Sequence, residues 1–252
     1  MKISKLIIVA ALSLIVYSEQ TQAEIRSAHC PIGCPALDIP DSDVIFNFTY
    51  ALSLNEKTKL ADWVAYKVDV RNFGPSPGRD WKNNPLVDEQ DTLEENDYKG
   101  ASKALKVDKG HQAPLAAFAG AKHWYELNYL SNITPQKSAL NQGPWRILEA
   151  AVRDAVKYSQ PLYVVTGTLY NDVNSNPTLP KADEEHAIPD AYFKVIYNEK
   201  GESASFVMKQ RTARDFDFCN TKVTFANLKS KLGFSMPSLK DSTKVVRQLG
   251  CN

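Results

Sequence analysis

The segment Asp108-Lys109-Gly110-His111-Gln112-Ala113-Pro114 places a lysine, a glycine and a histidine directly behind the mostly apolar run Ala104 to Val107. A histidine delivered at the end of such a run can face a cleft. Its imidazole, with an ordinary pKa of about 6.5, can accept a proton near neutral pH. One histidine alone says little, since most are surface or satisfied structural groups, and His29, His123 and His186 have no comparable surroundings. Downstream, Asn132-Ile133-Thr134-Pro135-Gln136 and Leu140-Asn141-Gln142-Gly143-Pro144-Trp145 concentrate amides just ahead of Glu149 and Arg153. Such a row of polar groups reads as a positioned site. Glu149 and Arg153, four apart on a helix, also fit an exposed ion pair that contributes a few tenths of a kcal/mol.

The elements that must position these groups follow from hydrophobic period. Asp43 to Asn55 alternates apolar and polar residues as a strand does, and Ala61 to Val70 repeats the pattern after a short polar connection, which predicts a hairpin. Leu162 to Tyr170, Ala191 to Tyr197 and Ser205 to Lys209 are rich in β-branched and aromatic residues and complete a central antiparallel sheet. The best helix begins near Pro144 and carries Trp145, Leu148, Val152 and Val156 as its buried stripe. A second helix is expected from Phe225 to Leu232. Gly74 to Asp97, with its Pro, Asn and Asp residues, reads as a long surface loop. No repeat or linker divides the chain, so the expectation is one mixed α+β domain, a central antiparallel sheet flanked by helices, over residues 24–252.

Composition narrows the partners. Thirty Lys plus Arg against 29 Asp plus Glu give a net charge of +1, so a polyanion could be held only by a local basic patch. Lys2 and Lys5 precede the apolar run Leu6 to Tyr17, and Thr21-Gln22-Ala23 ends in small residues, the pattern of a signal peptide over residues 1–23 cleaved near Ala23. The run is too short to span a bilayer, which takes about 20 apolar residues. Secretion or periplasmic export is therefore expected, with no membrane anchor in the mature form, whose 28 basic and 28 acidic side chains balance. Four cysteines in an exported chain read as disulfides. Three pairings are possible, and the spacing favours Cys30 with Cys34 and Cys219 with Cys251. A four-cysteine zinc site is disfavoured because only one short-spaced pair exists.

The stretches DKGHQAPLA at Asp108 to Ala116, YLSNITPQKSALNQG at Tyr129 to Gly143 and WRILE at Trp145 to Glu149, followed by Arg153, resemble the DNA/RNA non-specific endonucleases of the Serratia nuclease type. The resemblance extends to ADWVAYK at Ala61 to Lys67, to Arg79 in GRDWK, to YVVTGTLY and to the cysteine placement, nearly the whole chain beyond the leader. It implies a ββα-metal (His-Me finger) active site and phosphodiester hydrolysis of DNA and RNA, double- or single-stranded. His111 would be the general base that activates water, oriented by Asn132. Asn141 would be the direct ligand of a Mg²⁺, or Mn²⁺, ion that keeps most of its waters, and Glu149 would hold that ion through water. Arg79 and Arg153 would face the phosphate, with Lys109 standing where the family more often has Arg and losing the bidentate fork. Asp108 takes a structural role. Family members include homodimers.

Two rival functions are carried forward. A secreted nucleic-acid-binding protein of the same fold without turnover would shift DNA mobility and yield no fragments. A phosphodiesterase of small substrates would leave long polymers intact. Asn47-Phe48-Thr49 and Asn132-Ile133-Thr134 satisfy the glycosylation pattern, but sugar on Asn132 would block the site, so chance matches are the better reading.

Overall fold

The computed structural model describes residues 25–36 and 39–252. The expected signal peptide lies outside the described residues. Strands β1 (Ser42–Phe46), β2 (Ala51–Asn55), β3 (Leu60–Val68), β6 (Leu162–Leu169), β7 (Ala191–Tyr197), β8 (Glu202–Lys209) and β10 (Lys240–Asp241) form a sheet in the order β1-β2-β3-β6-β7-β8-β10, with β9 (Lys222–Val223) also on β8. All pairs are antiparallel except β8–β10. A separate antiparallel hairpin joins β4 (Val107–His111) to β5 (Ile133–Lys137). The helices are short: α1 (Ala101–Leu105), α2 (Ser138–Leu140), α3 (Arg146–Val156), α4 (Phe225–Lys229) and α5 (Thr243–Gln248).

The sheet is covered on both faces, and the strand period of two assigns each side chain to one of them. Val64, Tyr66, Val164, Tyr192 and Ile196 pack with Trp145, Leu148, Val152 and Val156 at the start and inner face of α3. The alternate set, Trp63, Ala65, Val165, Phe193 and Val195, packs with Phe225 and Leu228 of α4. A third cluster, including Leu93, Tyr98, Val107, Leu130 and Ile133, seats the β4–β5 hairpin. Both disulfides form as the spacing favours, Cys30–Cys34 and Cys219–Cys251.

Two expectations are corrected and one is refined. The single strand over Asp43 to Asn55 is two antiparallel strands, because the chain turns at Asn47 to Tyr50, where the Asn47 N–H donates to Tyr50 O (2.9 Å) and Glu126 accepts from the N–H and hydroxyl of Thr49 (2.9 and 2.7 Å). The main helix begins near Pro144 as expected: Gly143 (φ −106°, ψ −119°) breaks the path from α2, Trp145 is already helical, and the regular α-helix runs from Arg146. The helix from Phe225 ends at Lys229, short of Leu232.

Candidate active site

The β4–β5 hairpin followed by α3 makes a β-β-α frame. His111 ends β4, Asn141 sits in the turn after α2, and Glu149 and Arg153 project from α3. All four line one cleft of about 690 Å³, together with Arg79, Lys109 and Asp108. The frame depends on two close backbone approaches. A Cβ on Gly110 would meet the Gln136 side chain at 2.7 Å, and one on Gly143 would collide with the backbone of Arg214. Neither position has room for a side chain.

His111 is held by Asn128, whose Oδ1 lies 3.2 Å from Nε2. The other end of that amide, Nδ2, donates to Gly78 O (3.4 Å) and so fixes which atom faces the imidazole. An accepting Oδ1 places the ring proton on Nε2 and leaves Nδ1 as the free lone pair. Burial pushes the imidazole pKa down to about 4; the Asn128 hydrogen bond opposes this and the Arg79 charge adds to it. The ring is therefore neutral at pH 7. Trp81 flanks it at 5.4 Å between centroids.

Asn132 does not orient the imidazole, which corrects the role expected for it. Its Oδ1 accepts from the Ala113 N–H (2.8 Å), and its Nδ2 donates to Ala113 O (3.0 Å) and Leu127 O (2.9 Å). It is fully buried and clamps the chain just after His111 to the segment before β5. An amide with both ends committed to backbone has nothing left for the ring, or for a glycan.

Asp108 takes the structural role assigned to it. Its carboxylate accepts from Ser138 Oγ (2.6 Å), Asn141 Nδ2 (2.9 Å) and Gln142 Nε2 (2.8 Å). Anchoring Asn141 through Nδ2 leaves Oδ1 as the atom available to a hard cation. Glu149 brings a carboxylate to the same cleft, with its Oε1 buried on the side of Lys194. A neutral amide oxygen and one carboxylate suit a cation that keeps most of its own waters.

Glu149 does not pair with Arg153; its charged neighbour is Lys194, with Nζ 3.7 Å from Oε1. Lys194 projects from β7 on the α3 face, fully buried, donates to Tyr66 Oη (3.0 Å) and lies 4.3 Å from the centre of the Trp145 ring. Burial raises the Glu149 pKa and lowers that of Lys194, each opposed by the charge of the other. Trp145 itself is core, 1% exposed. Lys109 reaches the cleft with its ammonium engaged, 3.0 Å from Glu95 Oε1 and over the rings of Trp81 (5.0 Å) and Tyr98 (5.8 Å).

Asn128 and Lys194 are the two residues of the site that the sequence analysis does not single out. Asn128 stands one residue ahead of the Tyr129 to Gly143 motif. Lys194 carries a visible signal as the lone charge in Ala191 to Tyr197. A charge there must be paired, but the partner is invisible until the sheet is assembled.

Residues 31–242 match the sequence profile of the family described as DNA/RNA non-specific endonuclease. The chain is 39% identical to a nuclease of Serratia marcescens over 231 residues, 88% of this chain and 86% of that one. It is 28% identical to the mitochondrial nuclease EXOG of Danio rerio over 206 residues, 78% of this chain and 59% of that one. The crystal structure of EndoG in complex with EndoGI superposes with a TM-score of 0.67 at 24% identity, covering 81% of this chain and 88% of that one, which shows a shared fold.

Proposed function

This chain belongs to the DNA/RNA non-specific endonuclease family, and from that membership and the geometry of the cleft we propose that it is an exported, Mg²⁺-dependent enzyme cutting DNA and RNA internally. The observation that carries the mechanism is the convergence of a neutral His111, its Nδ1 unoccupied, with Asn141 and Glu149 in one cleft. His111 Nδ1 takes a proton from water as the water oxygen bonds to phosphorus and the bond to the 3′ oxygen breaks. Asn128 keeps the opposite ring nitrogen protonated throughout. Arg79 and Arg153 line the cleft and stabilise the charge that builds on the phosphoryl oxygens through charge-assisted hydrogen bonds.

Asn141 Oδ1 would hold the cation directly and Glu149 through water, with Asp108 and Lys194 keeping those two groups in place. Bound Mg²⁺, or Mn²⁺ in its stead, supplies Lewis-acid stabilisation of the phosphoryl and departing oxygens. Lys109 contributes positive potential rather than a fork to phosphate, because Glu95 and two rings already engage its ammonium. Indifference to sequence follows if binding runs through phosphates, which carry no direct sequence information. Export is supported by the amino-terminal pattern and the two disulfides.

The test is digestion of supercoiled plasmid and of a long RNA by the oxidised protein lacking residues 1–23, in Mg²⁺ or EDTA, beside His111→Ala. Fragmentation of both polymers, absent in EDTA and reduced by about a hundredfold or more in the variant, is the expected result. A wild-type protein that binds without cutting would overturn the reading.

A further inference from the structure

A second depression, of about 660 Å³, lies beyond the amino-terminal end of β4, and Val107 lines both it and the catalytic cleft. Its rim carries Lys137, Lys209, Arg211 and Lys231 against one acid, Asp190. Lys137 donates to Leu105 O, and Asp190 accepts from Asn171 N–H and Asn176 Nδ2. The side chains of Lys209, Arg211 and Lys231 are exposed and meet no acidic partner among the described residues. The groove is thus net +3 on a chain whose total is +1. Its floor is partly apolar, with Leu169 and Ile188, and Gln210 fixes its inner wall by donating to Pro135 O (2.8 Å) and accepting from Lys137 N–H (2.8 Å).

We propose that this groove is an auxiliary nucleic-acid subsite that takes the phosphate backbone of the strand running on from the catalytic cleft. The proposal rests on the nuclease reading and adds to it where the substrate goes. Charge complementarity selects a polyanion, and the shared wall at Val107 selects the one already held at His111. Four residues of extended chain from His111 to Val107 cover ~13 Å, about four nucleotide steps at a rise of 3.4 Å. Exposed cations along the rim suit the phosphates of a duplex, which follow one another every ~3.4 Å along a strand.

The deciding variant is Lys209→Gln/Arg211→Gln/Lys231→Gln, all at exposed positions, with circular dichroism confirming the fold and each single substitution as its fallback. A trinucleotide is cut by the variant at the wild-type rate. On a long duplex KM rises on the order of tenfold at unchanged kcat, and the slope of log K against log salt shrinks by up to ~2.7 for three lost phosphate contacts, or about 0.9 for each single variant. Binding is read independently by anisotropy of a labelled duplex in EDTA. An unchanged slope and KM on the long duplex would overturn the proposal, as would equal losses on the trinucleotide. So would binding of polyglutamate lost in the variant with duplex binding intact, which would assign the surface to an acidic protein. If wild type cuts nothing, the nuclease reading fails by itself, while the anisotropy slope still decides the groove.

Discussion

In the proposed mechanism His111 and Asn128 divide the work of a base between a ring and the amide that sets its tautomer. Asn128 acts on the imidazole, while Asn132 acts on the backbone that carries it. The two amides should therefore fail differently. Asn132→Ala leaves buried backbone groups unpaired and costs about 1 to 3 kcal/mol of stability in a urea melt. Asn128→Ala lowers kcat with stability largely kept. An NMR titration adds the sign: His111 should half-protonate near pH 4, lower still in Asn128→Ala, which loses the bond favouring the cation, and higher in Arg79→Ala, which loses the repelling charge. Since the unfolded histidine takes its proton near 6.5, this group withdraws stability from the fold as pH falls from that value toward 4.

At the level of elements, the strand period decides why a lysine lies inside the protein. Lys194 alternates with Phe193 and Val195, and shares the α3 face with Tyr192 and Ile196. That face meets Glu149 one helical turn past Trp145. Removing one member of a buried ion pair strands the other, so Lys194→Met should cost about 3 kcal/mol or more. Lys194→Met/Glu149→Gln should recover part of that loss, because no lone charge is left. Thermal unfolding of the two variants checks this; equal destabilisation by both would show that the pair is not coupled. The β4–β5 hairpin was not legible as strands, since Lys109, Gly110 and Pro135 break the alternation and a two-stranded ribbon has little apolar face of its own. It is held instead by Tyr98, Leu130 and their neighbours.

Over the whole molecule, charge is balanced and must be deployed locally, as the cations of the cleft and the second groove are. The chain end is secured covalently: Cys219–Cys251 closes a separation of 32 residues and ties α5 to the segment after β8. On the chain-entropy account this contributes roughly 3 to 4 kcal/mol. Cys219→Ser/Cys251→Ser should lower the melting temperature and expose the C-terminal helix to protease, with the kcat of the folded fraction unchanged. A loss of kcat without loss of stability would show that the bridge serves the active site instead.

The sequence by itself determined the family resemblance, the core strands β3, β6 and β7 and the disulfide pairing, because these depend on residue type, spacing and local period; through the resemblance it also nominated His111, Asn141, Glu149, Arg79 and Arg153, which the fold brings to one cleft. Three things were decided by tertiary structure alone. Which asparagine faces the imidazole depends on how the segment Trp124–Asn132 wraps back on β4, and the two amides are only four residues apart. That Glu149 pairs with Lys194 rather than Arg153 depends on α3 crossing β7, a contact between residues 45 positions apart. The break between α2 and α3 depends on the close approach of the Arg214 backbone to Gly143. Local chemistry names the groups of a site, and the packing of distant segments chooses their partners.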